Sequence, residues 1–276
     1  MKVNNKIHII RILVYREIKS TLHGFGFYLV LSISLFISTL VMKEYIQIIL
    51  LDGILVSRDL LNYPLYLSVL IGSLYLALTS TITITKEKEE GTLQTLFFSP
   101  IDEVSYVLGK YFQQIFCYIA FVSVSIIYIV LSSKIINISI SPNSIKLIFL
   151  LIITGSCIIS FGLLISSLAK SIKNSVMIFI GFMTFFIGIE ATTIYFSVIK
   201  LQEANMAILY IRNVLEVISS ITRLVSPFSL LNAGFEAVRI GNSVTYNQNL
   251  FFSIAYSILL IMLAILVFKH RGVTNK

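Results

Sequence analysis

Six long apolar runs constrain this chain more than any other feature. They cover roughly residues 24–42, 64–85, 111–133, 147–169, 175–199 and 250–268. A bilayer core of about 30 Å needs about 20 apolar residues of helix to cross it. Lipid cannot satisfy backbone N–H and C=O groups, so runs of this length must be helices; a barrel would show short alternating strands instead. Composition agrees: 57% of the residues are hydrophobic and 12% charged, about half the charged share of a soluble domain. The fold class that follows is an all-α integral membrane protein with six transmembrane helices, organised as one domain over 1–276.

Lys and Arg counts set the orientation. The N-terminal segment, 86–110, 170–174 and the C-terminus carry 13 basic residues, against 8 for 43–63, 134–146 and 200–249. The excess predicts both termini in the cytoplasm of a multi-pass protein of the cell membrane. The basic start could pass for the leading part of a signal peptide, but the apolar run after it is span length and no small-residue cleavage site closes it. The net charge of +8 reads as this anchoring, since the basic residues form no surface suited to nucleic acid.

Two segments outside the spans have helical periodicity. In 1–23, Val3, Ile7, Ile10 and Val14 recur every three to four positions between basic residues. That pattern predicts an amphipathic helix on the inner membrane surface, with a plain basic anchor as the alternative. In 200–249, Ile208, Ile211, Leu215, Ile218 and Val225 form a stripe, with Arg212, Glu216 and Arg223 to one side. These charges are costly in lipid, so the segment reads as outer-leaflet helices, broken at Ser226–Pro227 and resumed at Phe228–Ile240, rather than a seventh span.

The stretch from Lys86 to Lys110 carries the functional information. The cluster Glu87–Glu90 cannot enter lipid and ends the second span. Gly91 permits a turn. Thr92 can cap a short new helix whose Leu93, Leu96 and Phe97 share one apolar face. Ser99, with Pro100 at N1 and Asp102 at N3, has the form of a further helix start. The expectation is a short cytoplasmic helix with apolar knobs, suited to docking another protein.

Glu-x-x-x-Gly-Thr-Leu-x-x-Leu, then Ser-Pro, then Leu-Gly-Lys before the third span, resembles the signature loop of ABC-2-type permeases. In that family this segment is a coupling helix seated in a cleft of the ATPase subunit. The matching positions are Glu87, Lys88, Gly91, Thr92, Leu93, Leu96, Pro100, Gly109 and Lys110, with Phe97 completing the apolar face. The family usually has Glu after Gly-Thr-Leu, where Gln94 stands here. Phe161-Gly-Leu-Leu-Ile-Ser-Ser-Leu-Ala-Lys170 resembles the family's fourth-span ending, and Ser226-Pro-Phe followed by Gly234–Arg239 resembles the approach to its last span. Among small members, the chain is most similar to the gliding-motility and nitrous-oxide-reductase-maturation permeases.

The resemblance implies an ATP-driven exporter. The chain has no G-x-x-x-x-G-K-[ST] run, so ATP is expected on a separate ABC ATPase subunit, two copies per complex. The permease itself would be no enzyme, would need no cofactor, and would pair with itself or with a related permease. The alternative is a non-transporting sensor or assembly scaffold driven by the same kind of ATPase. An intramembrane enzyme is disfavoured, because Glu89–Glu90 lacks His or Arg partners at helical spacing within a span. Glu190 lies well inside the fifth run; it is a candidate pathway residue, able to pair with a base such as Arg212 or to reach the headgroups. Cys117 and Cys157 fall in apolar runs and read as buried packing residues.

Overall fold

In the computed structural model, residues 3–52, 60–93, 102–198 and 206–271 are described. Their helices are α1 (Val3–Leu22), α2 (Phe25–Asp52), α3 (Asn62–Glu89), α4 (Glu103–Ile136), α5 (Asn143–Leu168), α6 (Ile172–Val198), α7 (Met206–Val225), α8 (Pro227–Ile240) and α9 (Ser243–Arg271). No strand occurs among the described residues. Six of these helices, α2 to α6 and α9, are long and apolar enough to cross a membrane, in the order the six runs predict.

The helices outrun the apolar stretches that announce them. α4 begins at Glu103 rather than 111, α2 continues to Asp52, and α9 begins at Ser243 rather than Leu250. Once a helix is propagating, each further residue adds a hydrogen bond, so polar residues at its ends join it. Within 86–110, α3 takes 86–89 and α4 takes 103–110; residues 90–102 connect them, with Thr92 and Leu93 helical and 94–101 outside the described residues.

α5 is the central helix. In its most apolar stretch 67% of residues are buried, against 12% in α6 and 22% in α2 and α9, which places the latter three at the periphery of the bundle. Small residues let the centre close, as in membrane helix packing generally. Gly162 of α5 lies against the backbone carbonyl of Ala77 on α3, Gly155 takes the Tyr118 ring of α4, and Gly72 of α3 takes the Phe121 ring. Buried hydroxyls then bond across the seams. Ser80 Oγ donates to the Ile159 carbonyl at 3.0 Å, Tyr118 to the Leu151 carbonyl at 2.8 Å, and Ser166 Oγ accepts from the Ile84 and Thr85 N–H groups. Cys117 and Cys157 are both buried free thiols within this packing.

α7 and α8 meet at a 96° bend. Ser226 is the N-cap of α8, its hydroxyl accepting from the Ser229 N–H at 3.3 Å, with Pro227 in the first turn. The break therefore falls at Ser226–Pro227, as the sequence indicates. α7 turns an apolar face outward through Val214, Val217, Ile218 and Ile221, while Arg212 pairs with Glu216 one turn on at 3.1 Å. α8 tucks back under the bundle, with Gly234 against Leu150 and Phe235 stacked on Tyr66 at 4.3 Å.

Candidate functional site

At 1.5 Å per residue, the 28 residues of α3 span about 42 Å, roughly 12 Å more than a bilayer core. The surplus is its charged end. There, each of four consecutive charged residues is bonded to a different part of the structure. Glu87 points into the bundle, where its Oε1 meets Lys110 Nζ of α4 at 2.5 Å and its Oε2 accepts from the Tyr106 hydroxyl. Lys88 Nζ donates to the Ser167 carbonyl at 2.8 Å and lies 3.4 Å from that of Ala169, so its charge sits at the negative end of α5. Glu89 accepts from the Ile172 N–H at 2.9 Å, placing an anion at the positive end of α6. Glu90 turns back to Lys86 at 3.8 Å, an exposed pair of small worth.

α1 joins the same junction through α4. Lys110 is only 4% exposed and also contacts Glu17 of α1 at 3.2 Å, while Arg16 meets Glu17 from the other side at 2.9 Å. One turn along α4, Gln113 donates to Thr21 of α1 at 2.8 Å. Burial raises the Glu17 pKa, but Lys110 and Arg16 outweigh it, so the carboxyl titrates below its ordinary range. The α9 end closes over the site: Tyr106 stacks on Phe268 at 5.2 Å, and Lys88 lies over the same ring. The starts of α4 and α6 and the ends of α3, α5 and α9 thus gather at one end of the bundle together with α1.

Beyond Glu89, the chain turns as the sequence suggests. Gly91 has φ +72, the left-handed conformation typical after a helix end, and its N–H bonds to the Lys88 carbonyl. Space around it is open, so backbone conformation is what calls for glycine there. The Thr92 hydroxyl donates back to the Glu87 carbonyl at 3.4 Å, and Thr92 and Leu93 are helical. Two expectations need correction. Leu93 is buried at 5% in a cluster with Ile84, Val107 and Leu163; it anchors the connection instead of offering an outward knob. Asp102 stands at the N-cap of α4 rather than at N3, where its carboxylate accepts from the Ser105 hydroxyl. Gly109 is buried beside Lys110.

Leu96, Phe97 and Pro100 lie outside the described residues, as does the Glu190 side chain on α6. The second carboxylate on Lys110, Glu17, and the hydroxyl partner of Glu87, Tyr106, were not singled out from sequence. Each left a trace: Glu17 is the one acidic residue before Glu44 in a basic segment, and Tyr106 precedes Lys110 by one helical turn.

The family model for ABC-2 family transporter proteins matches residues 29–273, nearly the whole chain. The chain belongs to the ABC-2 transporter family. It is therefore a permease component of an ABC transporter, of a class that works with an ATPase partner. A search among curated proteins returns no match. For this ABC-2 permease, the junction gives the signature stretch a physical description: Glu87, Lys88 and Glu89 tie the end of α3 to α4, α5 and α6.

Proposed function

We propose that this chain is the transmembrane half of an ATP-driven exporter of the cell membrane. A separate ABC ATPase subunit, in two copies, would seat on the 90–102 connection. The permease would act as a dimer, with itself or with a related permease. The observation that supports this reading is the junction itself. A push on the connection reaches Gly91 and Leu93, then the end of α3, and from there α1, α4, α5 and α6 through Lys110, Lys88 and Glu89. ATP binding would bias one arrangement of the bundle over another, which is all that alternating access requires.

Docking and transmission separate on this reading. Leu96 and Phe97 supply contact with the ATPase, whereas Glu87 and Lys110, both facing inward, pass the movement on. Glu190 remains the candidate pathway residue on α6, tested by Glu190→Gln and its effect on transport. The decisive experiment co-expresses the permease with an ABC ATPase subunit of its own organism, in wild-type, Leu96→Asp and Glu87→Gln forms. Leu96→Asp should lose co-purification of the ATPase. Glu87→Gln should keep it and lose the permease's stimulation of ATP hydrolysis. If Leu96→Asp retains both binding and stimulation, the connection is not the docking element. Reconstitution with ATP and outward movement of a solute would establish export.

A further inference from the structure

We propose that the cleft between α1, α3 and α4 binds the headgroup of a zwitterionic aminophospholipid. The cleft has a volume of about 580 Å³, within the range of small-molecule sites. Its charged walls are Arg16 and Glu17 on α1, Lys86, Glu87 and Glu90 on α3, and Lys110 on α4. Three of these are basic and three acidic, so their formal charges cancel. A simple anion would meet Glu17 and Glu90, and a simple cation would meet Arg16 and Lys86. A ligand carrying both charges can satisfy both sets.

Exposure separates structural charges from available ones. Lys110 and Glu87 are 4% and 13% exposed and already bonded to each other. Arg16, Lys86 and Glu90 are 59%, 58% and 52% exposed. Their present partners are near neighbours in sequence, and such exposed pairs are weak and exchangeable. Arg16 and Lys86 are the cleft's available partners for a phosphate, and Glu90 its available partner for a primary ammonium. A quaternary ammonium has no N–H to offer that carboxylate.

Depth distinguishes a lipid from a soluble ion. The charged mouth is where α3 emerges beyond its apolar length, at headgroup level. Thr79, Ile82 and Thr83 line the same cleft further down. Thr79 lies seven residues before Lys86, about 10 Å along the helix. The wall thus passes from charge through hydroxyls to an apolar side chain over the distance from a headgroup to the first methylenes of its chains. A lipid entering beside α1 meets each zone in the order of its own structure.

The proposal concerns lipid and does not depend on the ATPase reading. To test it, the full chain is purified into nanodiscs of equal phosphatidylethanolamine, phosphatidylcholine and phosphatidylglycerol, and co-purifying lipid is measured by native mass spectrometry. Phosphatidylethanolamine should be retained about three- to tenfold over either competitor, the scale of one or two exposed charge contacts. Arg16→Gln/Lys86→Gln, both exposed positions, should remove most of that preference while the melting temperature stays near wild type. A soluble glycerophosphoethanolamine arm should compete poorly; effective competition would make the site one for a free zwitterion and overturn the lipid assignment. Equal retention of the three lipids, or a preference that survives the double substitution, would overturn the proposal.

Discussion

Lys110→Met tests the junction most directly. In the wild type, Lys110 Nζ is 2.5 Å from Glu87 Oε1 and 3.2 Å from Glu17 Oε1, so the two carboxylate oxygens are at most 5.7 Å apart. Removing the ammonium leaves like charges facing each other with no cation between them. At an effective dielectric constant near 20, their repulsion at that distance is about 3 kcal/mol. Glu17 is 22% exposed and keeps Arg16, so water and that guanidinium reduce the cost; about 2 kcal/mol is expected. Loss of one partner of a buried pair costs a similar or larger amount in general. For a chain of this size that corresponds to a fall in Tm of roughly 3–4 °C, read by thermal unfolding in a fixed detergent or nanodisc.

The same geometry predicts rescue. Glu87→Gln added to Lys110→Met removes one of the two facing charges, and the amide oxygen can still accept from Tyr106. The double variant should recover at least half of the lost stability. A Lys110→Met protein that melts within about 1 °C of wild type would show that the buried ammonium holds nothing together, since even a single exposed pair is worth up to about 1 kcal/mol. A double variant no more stable than Lys110→Met would show that repulsion is not the cause.

Two further outcomes follow from other contacts. Because the Glu17 pKa is depressed in the folded protein, its stabilising contribution is fully present above the ordinary value of 4.5 and is lost as pH falls through the lower folded value; Glu17→Gln should flatten the acid limb of Tm against pH, and an unchanged limb would remove Glu17 from the network. Gly162→Ala places a methyl against the Ala77 carbonyl and the Ser80 side chain, so α3 and α5 must separate at a cost of about 1–3 kcal/mol; a Tm equal to wild type would mean the helices are less closely packed than this seam shows.

The spans were legible because lipid leaves a sequence so little choice. Six apolar runs mark six helices, and Ser226–Pro227 marks the α7–α8 bend because a capping hydroxyl followed by proline is a local signal. Helix ends were less legible. The start of α4 at Glu103 and the extension of α2 to Asp52 depend on propagation into polar residues, which hydropathy does not register. The signature stretch showed the opposite limit. Its motif identified the family, and Gly91 identified the turn, but the directions of Glu87, Leu93 and Lys110 depend on α1, α4 and α9, elements far away in sequence. A charged cluster before a helix end reads as a solvated surface until the dipole of a neighbouring helix, here at Ser167 and Ile172, is in place to receive it.

That arrangement also explains why charge, added to the apolar cluster around Leu93, fastens this end of the bundle. Apolar side chains at headgroup level gain little from burial against one another, because the competing environment is already partly apolar, and they fix no particular partner. Charges are directional and selective there. Lys88 is suited to a helix end offering carbonyls and Glu89 to one offering N–H groups, so exchanging the two residues would set each against the wrong pole. The centre of the bundle, by contrast, is held by close backbone approach at Gly162 and Gly155, which tolerates little sliding. On the proposed mechanism the two kinds of fastening have different tasks. The α3–α5 seam moves as one body, and the polar ties at its end determine which peripheral helices move with it. α6 is held there through the Glu89–Ile172 bond and is exposed along most of its length, so it is the span best placed to repack when the junction shifts.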